Sequence, residues 1–216
     1  MIRDCEHMGI VYGVADDSDL ADMTRLLAAV FSRHDPPAIA TGLTPAEFED
    51  FVRLLCPGVA TAGLTIVGRS SETGELAGAL LTEDSASPLP SGIERLSRKF
   101  EPIFDILGQL DADYRHGRPV ASGESLHLFL LGVAEAFGGR GVAQQLVTAC
   151  LDNGARKGYK TAVTEATNTV SQHIFRKQGF VDRVQRSYRD HRYEGRAFFA
   201  AIDGHVGPIL MDRPLG

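Results

Sequence analysis

The stretch VAEAFGGRGVAQQLVTACL, residues 133–151, sets three glycines and an arginine between an apolar run and a helical pattern. The first turn of a helix leaves amide N–H groups without intrahelical partners, at the positive end of its dipole. Gly138, Gly139 and Gly141 remove the Cβ atoms that would hold a ligand off that backbone, and Arg140 adds a cation beside it. Such a turn suits phosphate oxygens. A tight strand-to-helix connection with no ligand explains the same glycines, and both readings stand at this point. The glycines do not fall in G-x-G-x-x-G spacing, and no lysine with serine or threonine follows them as in a P-loop.

Immediately upstream, SLHLFLLGV (125–133) reads as a strand, and the glycine turn leads into a helix over 141–158 that ends in arginine, lysine and glycine. YKTAVTEA (159–166) follows as another buried strand, and TVSQHIFRKQ (169–178) as a short helix stopped by Gly179. A strand, helix, strand succession of this length predicts a parallel pair joined by a crossover.

The first half opens with a β-prone run at 9–15. LADMTRLLAAVF (20–31) then keeps apolar residues at helical spacing. Paired prolines in SRHDPPAIATG (32–42) predict a loop. Thr44, Pro45 and Glu47 open a second helix through about Leu55. LTIVGRS and ELAGALLTE, joined by SETG, read as a hairpin. Residues 84–123 form a loop and one or two helices inserted between strands. FVDRVQRSYR and HVGPILMDR read as two closing strands. The expectation is one domain over 1–216, a mixed α/β fold with about seven strands and helices on both faces.

Hydrophobic residues at 44 % with 23 % charged supply an ordinary globular core. A net charge of −6 argues against nucleic acid as the main partner. Cys5, Cys56 and Cys150 are too widely spaced to predict a zinc site or a disulfide framework, and no histidine pair has metal-ligand spacing. MIRDCEHMGI has no apolar core of a secretion signal and no run has the length of a membrane span, so a cytoplasmic protein is expected.

GGRGVA, at 138–143, resembles the pyrophosphate-binding segment of the GNAT (Gcn5-related N-acetyltransferase) superfamily, Gln/Arg-x-x-Gly-x-Gly/Ala. Gly141 and Ala143 match, and Gly138 departs at the first position. At the corresponding distance NTVSQHIFRKQGF resembles the second signature of that family, with Asn168, Ser171, Phe175, Lys177, Gly179 and Phe180 in the matching places. The resemblance covers 125–181. VFSRHDPP, the helical insert and GHVGPILM look like the arylalkylamine N-acetyltransferase branch, in which an acidic residue precedes the proline; Asp35 stands there.

The resemblance implies a GNAT fold, acetyl-coenzyme A as donor and, as in many members, a homodimer. The pyrophosphate would lie on the amides of Gly138, Gly139, Arg140, Gly141, Val142 and Ala143. The backbone of Leu131, Gly132 and Val133 would pair with the pantetheine, with Asn168, Ser171 and Phe175 on its far side. A primary amine would then attack the thioester directly, so a base must take its proton. Alternation predicts that His127, Phe129, Leu131 and Val133 share the face that reaches the thioester, which makes His127 the first candidate. Asp35, by family position, and Glu124, by proximity, are the others. Many members carry a tyrosine at position 175 to assist the departing thiolate; Phe175 does not serve, which leaves Ser171, Tyr188 or water. The leading acceptor is a small amine, with Phe31, Phe100 and Phe104 lining a closed pocket. A protein N-terminus or lysine is the alternative within enzymes, and a non-catalytic acyl-coenzyme A sensor the alternative outside them.

Overall fold

A computed structural model describes residues 5–216, the side chains of Cys5, Pro57, Val59, Ala60 and Thr61 excepted. In chain order the strands and helices are β1 (Cys5–His7), β2 (Ile10–Val14), α1 (Leu20–His34), α2 (Pro36–Thr41), α3 (Pro45–Ala62), β3 (Ile66–Ser70), β4 (Leu76–Asp84), α4 (Glu101–Arg115), β5 (Ser125–Val133), α5 (Val142–Arg156), β6 (Thr161–Ala166), α6 (Thr169–Lys177), β7 (Val181–Gln185) and β8 (Ile209–Pro214). The strands form one sheet in the order β1-β2-β3-β4-β5-β6-β8-β7. Only β5 and β6 run parallel; every other neighbouring pair is antiparallel. The expected mixed sheet with a parallel pair is present, with eight strands rather than about seven. The addition is β1, which pairs with β2 from Cys5↔Tyr12 to His7↔Ile10.

Two apolar layers cover the sheet. On one face α5 and α6 bury Leu146, Val147, Cys150 and Phe175 against Leu80, Leu126 and Leu128. On the other, α1, α3 and α4 bury Leu27, Phe48, Phe51 and Ile106 against Ala79, Leu81 and Leu130.

Two local departures from expectation shape the site. Residues 36–41, expected as a loop, are the short helix α2. Asp35 is its N-cap, Pro36 and Pro37 occupy its first turn, where no amide is needed, and Gly42 ends it in the left-handed region at φ 70°. The Thr44–Glu47 capping box forms as expected, Thr44 N–H donating to Glu47 Oε2 at 2.9 Å and Glu47 N–H to Thr44 Oγ1 at 3.3 Å, but the helix it opens continues to Ala62.

The second departure is a β-bulge. Leu81 pairs with Leu130 and Thr82 with Leu128, which leaves Phe129 as the extra residue on β5. An extra residue reverses the side-chain alternation beyond it. Leu126 and Leu128 therefore face the α5 layer, Leu130 faces the α1 layer, and Leu131 and Val133 return to the α5 layer. A Cβ on Gly132 would meet Leu27 of α1 at 2.9 Å, as that reversal requires. The expectation that His127, Phe129, Leu131 and Val133 share a face is thus corrected: Phe129 packs with the α1 layer and Leu131 and Val133 with the other.

Candidate active site

The parallel pairing of β5 with β6 spans only Ser125↔Thr161, Leu126↔Ala162 and His127↔Val163. Beyond it the Thr164 hydroxyl donates to the Leu128 carbonyl at 2.9 Å, and the strands diverge while β5 stays paired to β4 up to Val133. The divergence opens a cleft of about 830 Å³ lined by Leu131, Val133, Gly138, Gly139, residues 141–144, Asn168 and Ser171.

At the mouth of that cleft Gly139 (φ 72°) and Gly141 (φ 76°) hold the left-handed conformation, and Gly141 is the N-cap of α5. The first hydrogen bond of α5 runs from Gln145 N–H to the Gly141 carbonyl at 3.1 Å, so the amides of Val142, Ala143 and Gln144 precede it. A Cβ built on Gly139 or Gly141 meets no atom within 4 Å; the space before both is open for an anion and a side chain would intrude there. Gly138 differs, because its own amide donates to the Glu135 carbonyl at 3.0 Å. Arg140 is exposed, with its guanidinium over the Phe137 ring 5.5 Å from the centroid, and does not line the cleft. Across the cleft Asn168 caps α6. Its Oδ1 accepts from Ser171 N–H at 2.9 Å, and the Ser171 hydroxyl donates to the Asn168 carbonyl at 2.9 Å.

Leu131, Asn168 and Ser171 also wall a smaller inner hollow of about 100 Å³. Seven phenylalanines line it: Phe31 from α1, Phe48 and Phe51 from α3, Phe100 and Phe104 from the insert, Phe129 at the bulge and Phe175 from α6. Phe51 is the hub, with ring centroids 5.0 Å from Phe100, 5.6 Å from Phe104 and 5.9 Å from Phe129. Two carboxylates line the same hollow, Asp35 and Glu165.

Asp35 is buried. It accepts from the Thr167 hydroxyl at 2.5 Å through Oδ1 and from Ala38 N–H at 3.2 Å through Oδ2. Burial, only partly offset by those two donors, pushes its carboxyl up to about 6. The Tyr188 hydroxyl donates to the Thr167 carbonyl at 2.7 Å, so a buried chain Tyr188–Thr167–Asp35 fixes the acid.

A family model described as acetyltransferase (GNAT) family matches residues 59–180, more than half of the chain. The chain belongs to the GNAT acetyltransferase family. Solved structures share its fold over nearly the whole length. The C-terminal condensation domain of Ebony in complex with β-alanyl-dopamine matches at a TM-score of 0.87 and 14 % identity, covering 95 % of this chain and 98 % of that one. Arylalkylamine N-acetyltransferase 2 from Aedes aegypti matches at 0.79 and 19 %, covering 96 % and 99 %. Drosophila melanogaster polyamine N-acetyltransferase, which catalyses formation of N-acetylagmatine, matches at 0.75 and 19 %, covering 95 % and 100 %. These likenesses are of fold, and the arylalkylamine-like branch expected from sequence lies among them.

Within this GNAT acetyltransferase the remaining candidates separate. His127 does not reach the donor cleft. It lies between two carboxylates, Nδ1 3.1 Å from Glu83 Oε1 and Nε2 2.7 Å from Glu165 Oε2, against the Phe129 ring. Burial alone would lower its affinity for a proton, but the charges and hydrogen bonds of Glu165 and Glu83 prevail and raise it to about 10. At neutral pH it is an imidazolium with no free base to offer. Glu124 stands outside both hollows, where its Oε2 accepts from Ala121 N–H at 3.0 Å and closes a turn. Tyr188 is buried with its hydroxyl committed to Thr167 and lines neither hollow. Phe175 is buried against Phe180 at 5.1 Å and lines the inner hollow beside Ser171.

Sequence reasoning passed over Glu83, Glu165, Thr167, Phe48 and Phe51. Glu165 carried a usable signal, a lone acid inside the apolar strand TAVTEA, because an unpaired buried charge is rare.

Among the described residues no helix is long and apolar enough to cross a membrane.

Proposed function

We propose that the protein transfers an acetyl group from acetyl-coenzyme A to the primary amine of a small arylalkylamine. The carrying observation is the inner hollow: seven phenylalanine rings and the buried acid Asp35 around about 100 Å³ that shares Leu131, Asn168 and Ser171 with the glycine-loop cleft. An aromatic ring fits between the phenylalanines, its amine beside Asp35.

The family's donor fits the cleft. The amides of Gly139 to Ala143 would receive the pyrophosphate, the free edge of Leu131 to Val133 the pantetheine amides, and Asn168 its far side. The thioester then comes to the junction of the two hollows. Asp35 takes the ammonium proton, its raised proton affinity bringing it nearer to that of the amine. The neutral nitrogen attacks the carbonyl carbon, the C–S bond breaks with its electron pair on sulfur, and the second nitrogen proton passes to that sulfur by way of the Ser171 hydroxyl, on the rim shared by both hollows, leaving the amide and the free thiol. Positioning carries much of the acceleration. Phe175 is compatible with this scheme because a thiolate is a weak base and a good leaving group.

The insert supports the small-acceptor reading: Phe100, Ile103, Phe104 and Leu107 add apolar wall to the hollow. The names of the fold neighbours, which include arylalkylamines and polyamines, agree with an amine acceptor. Steady-state thiol release with acetyl-coenzyme A and a panel of arylalkylamines, polyamines and short peptides tests the reading. Arylalkylamines are expected to give the highest kcat/KM. Tight binding of acetyl-coenzyme A with no turnover on any amine would make the chain a binding module instead.

A further inference from the structure

The connection between β7 and β8, residues 186–208, is bonded along the insert helix α4. Glu101, Asp105, Gln109 and Asp113 recur every fourth residue along one side of that helix, away from Ile103, Phe104 and Leu107, which wall the inner hollow. The Tyr193 hydroxyl donates to Glu101 Oε2 at 3.1 Å, His191 Nε2 donates to Asp105 Oδ2 at 2.8 Å, and Arg186 pairs with Asp113.

His191 is buried, and its ring lies against Phe199 with centroids 5.4 Å apart. Its Nδ1 has no hydrogen-bond partner among the described residues. A buried ring nitrogen without a bond is destabilising, and a phenyl ring would fill the same layer without that penalty. What explains a histidine here is therefore Nε2, which ties the connection to Asp105. Gln109 Nε2 donates to the same Asp105 oxygen at 2.9 Å.

From His191 the contacts run inward to the acid of the inner hollow. Phe199 meets Tyr188 edge to face at 5.6 Å, and both rings are fully buried. The Tyr188 hydroxyl donates to the Thr167 carbonyl at 2.7 Å, and the Thr167 hydroxyl donates to Asp35 Oδ1 at 2.5 Å. Close-packed side chains transmit a displacement instead of absorbing it.

We infer that His191 is a positioning residue for the transfer: its bond to Asp105 seats Phe199 and Tyr188, and through them the Thr167 hydroxyl that holds Asp35, so that α4 and the base are set as one unit. The inference rests on Asp35 as the base and goes beyond it by naming a residue that governs the base from outside the hollow.

Burial raises the proton affinity of Asp35, and the bonds from Thr167 and from the Ala38 amide lower it. A displaced Thr167 therefore raises that affinity further and moves the acid limb of the rate profile to higher pH. The other titratable groups near the base are Tyr188 and, in the wall of the same hollow, Glu165 with its partner His127. Those about His191 are Asp105, Glu101 and Asp113 of α4, with Tyr193 and Arg186 of its own segment.

The pH profile of kcat/KM for 2-phenylethylamine with saturating acetyl-coenzyme A tests this in the wild type and three variants. His191→Phe keeps a ring and loses the donor. Its acid limb is expected to rise by roughly 0.5–1 pH unit, and its KM for the amine to increase while that for acetyl-coenzyme A holds. His191→Gln keeps a side-chain N–H for Asp105 and is expected to keep the wild-type midpoint. Asp105→Ala removes the acceptor at a partly exposed position and is expected to match His191→Phe. Equal midpoints in all four proteins overturn the inference and leave Asp35 as the base. A shift in His191→Gln as large as that in His191→Phe also overturns it, because the bond to Asp105 is then not what acts. Should the His191 variants not fold, Asp105→Ala against the wild type decides alone. A wild-type profile with no acid limb near pH 6 overturns the inference together with the role of Asp35.

Discussion

The hydroxyl of Thr167 donates to Oδ1 of Asp35 at 2.5 Å, joining residues 132 positions apart in the sequence. That bond ties the end of β6 to the N-cap of α2 and puts a buried acid in the wall of the inner hollow. The folded-state affinity of Asp35 for a proton, about 6, lies above its ordinary value of 3.8. Any stability linked to it is therefore fully present below pH 3.8 and lost as the pH rises through 6. Asparagine removes the buried charge and remains a good N-cap. Asp35→Asn is predicted to match the wild type near pH 4 and to exceed it at pH 8 by on the order of 1–2 kcal/mol, read from thermal melts across that range.

His127 shifts in the same direction over a higher pH range. Its proton affinity is raised from 6.5 to about 10, so the stability it supplies is fully present below pH 6.5 and lost as the pH rises through 10. His127→Gln is predicted to cost roughly 3 kcal/mol at pH 6, with the penalty shrinking above pH 9 in denaturant titrations. The acid limb of its pH–rate profile should keep the wild-type midpoint. A shifted or abolished limb would return His127 to the role of base.

Gly141 combines an open space with a left-handed backbone. Gly141→Glu places a carboxylate before the first-turn amides of α5, and its affinity for coenzyme A should fall at least ~30-fold in a calorimetric titration. Gly141→Asn separates charge from backbone strain, since asparagine tolerates this region. It should lose much less.

Phe51 touches the rings of Phe48, Phe100, Phe104 and Phe129. Phe51→Ala is predicted to cost roughly 3–5 kcal/mol of unfolding free energy. It should also raise the KM for an arylalkylamine more than that for acetyl-coenzyme A, because the donor cleft does not use this ring.

Much of the second half was legible because local signals agreed with tertiary placement. β5 runs over Ser125–Val133 as its apolar pattern requires, and α5 starts at the glycine turn. Two features were not legible for definite reasons. The bulge at Phe129 leaves no mark in the apolar count of SLHLFLLGV, so strict alternation carried His127 to the wrong neighbours. The paired prolines after Asp35 read locally as helix breakers, although an N-cap acid, first-turn prolines and Gly42 together spell a short helix. Asp35 was reached through family position, whereas its burial depends on Thr167 and Tyr188, which no local pattern links to it.

The account stands on Asp35 as the group that takes the amine proton. Initial-rate thiol release from acetyl-coenzyme A and 2-phenylethylamine at pH 7.5, wild type against Asp35→Asn, measures this directly. The prediction is a loss in kcat of about 10²–10⁴ with the affinity for coenzyme A retained. An Asp35→Asn protein that turns over within a few-fold of the wild type would contradict it.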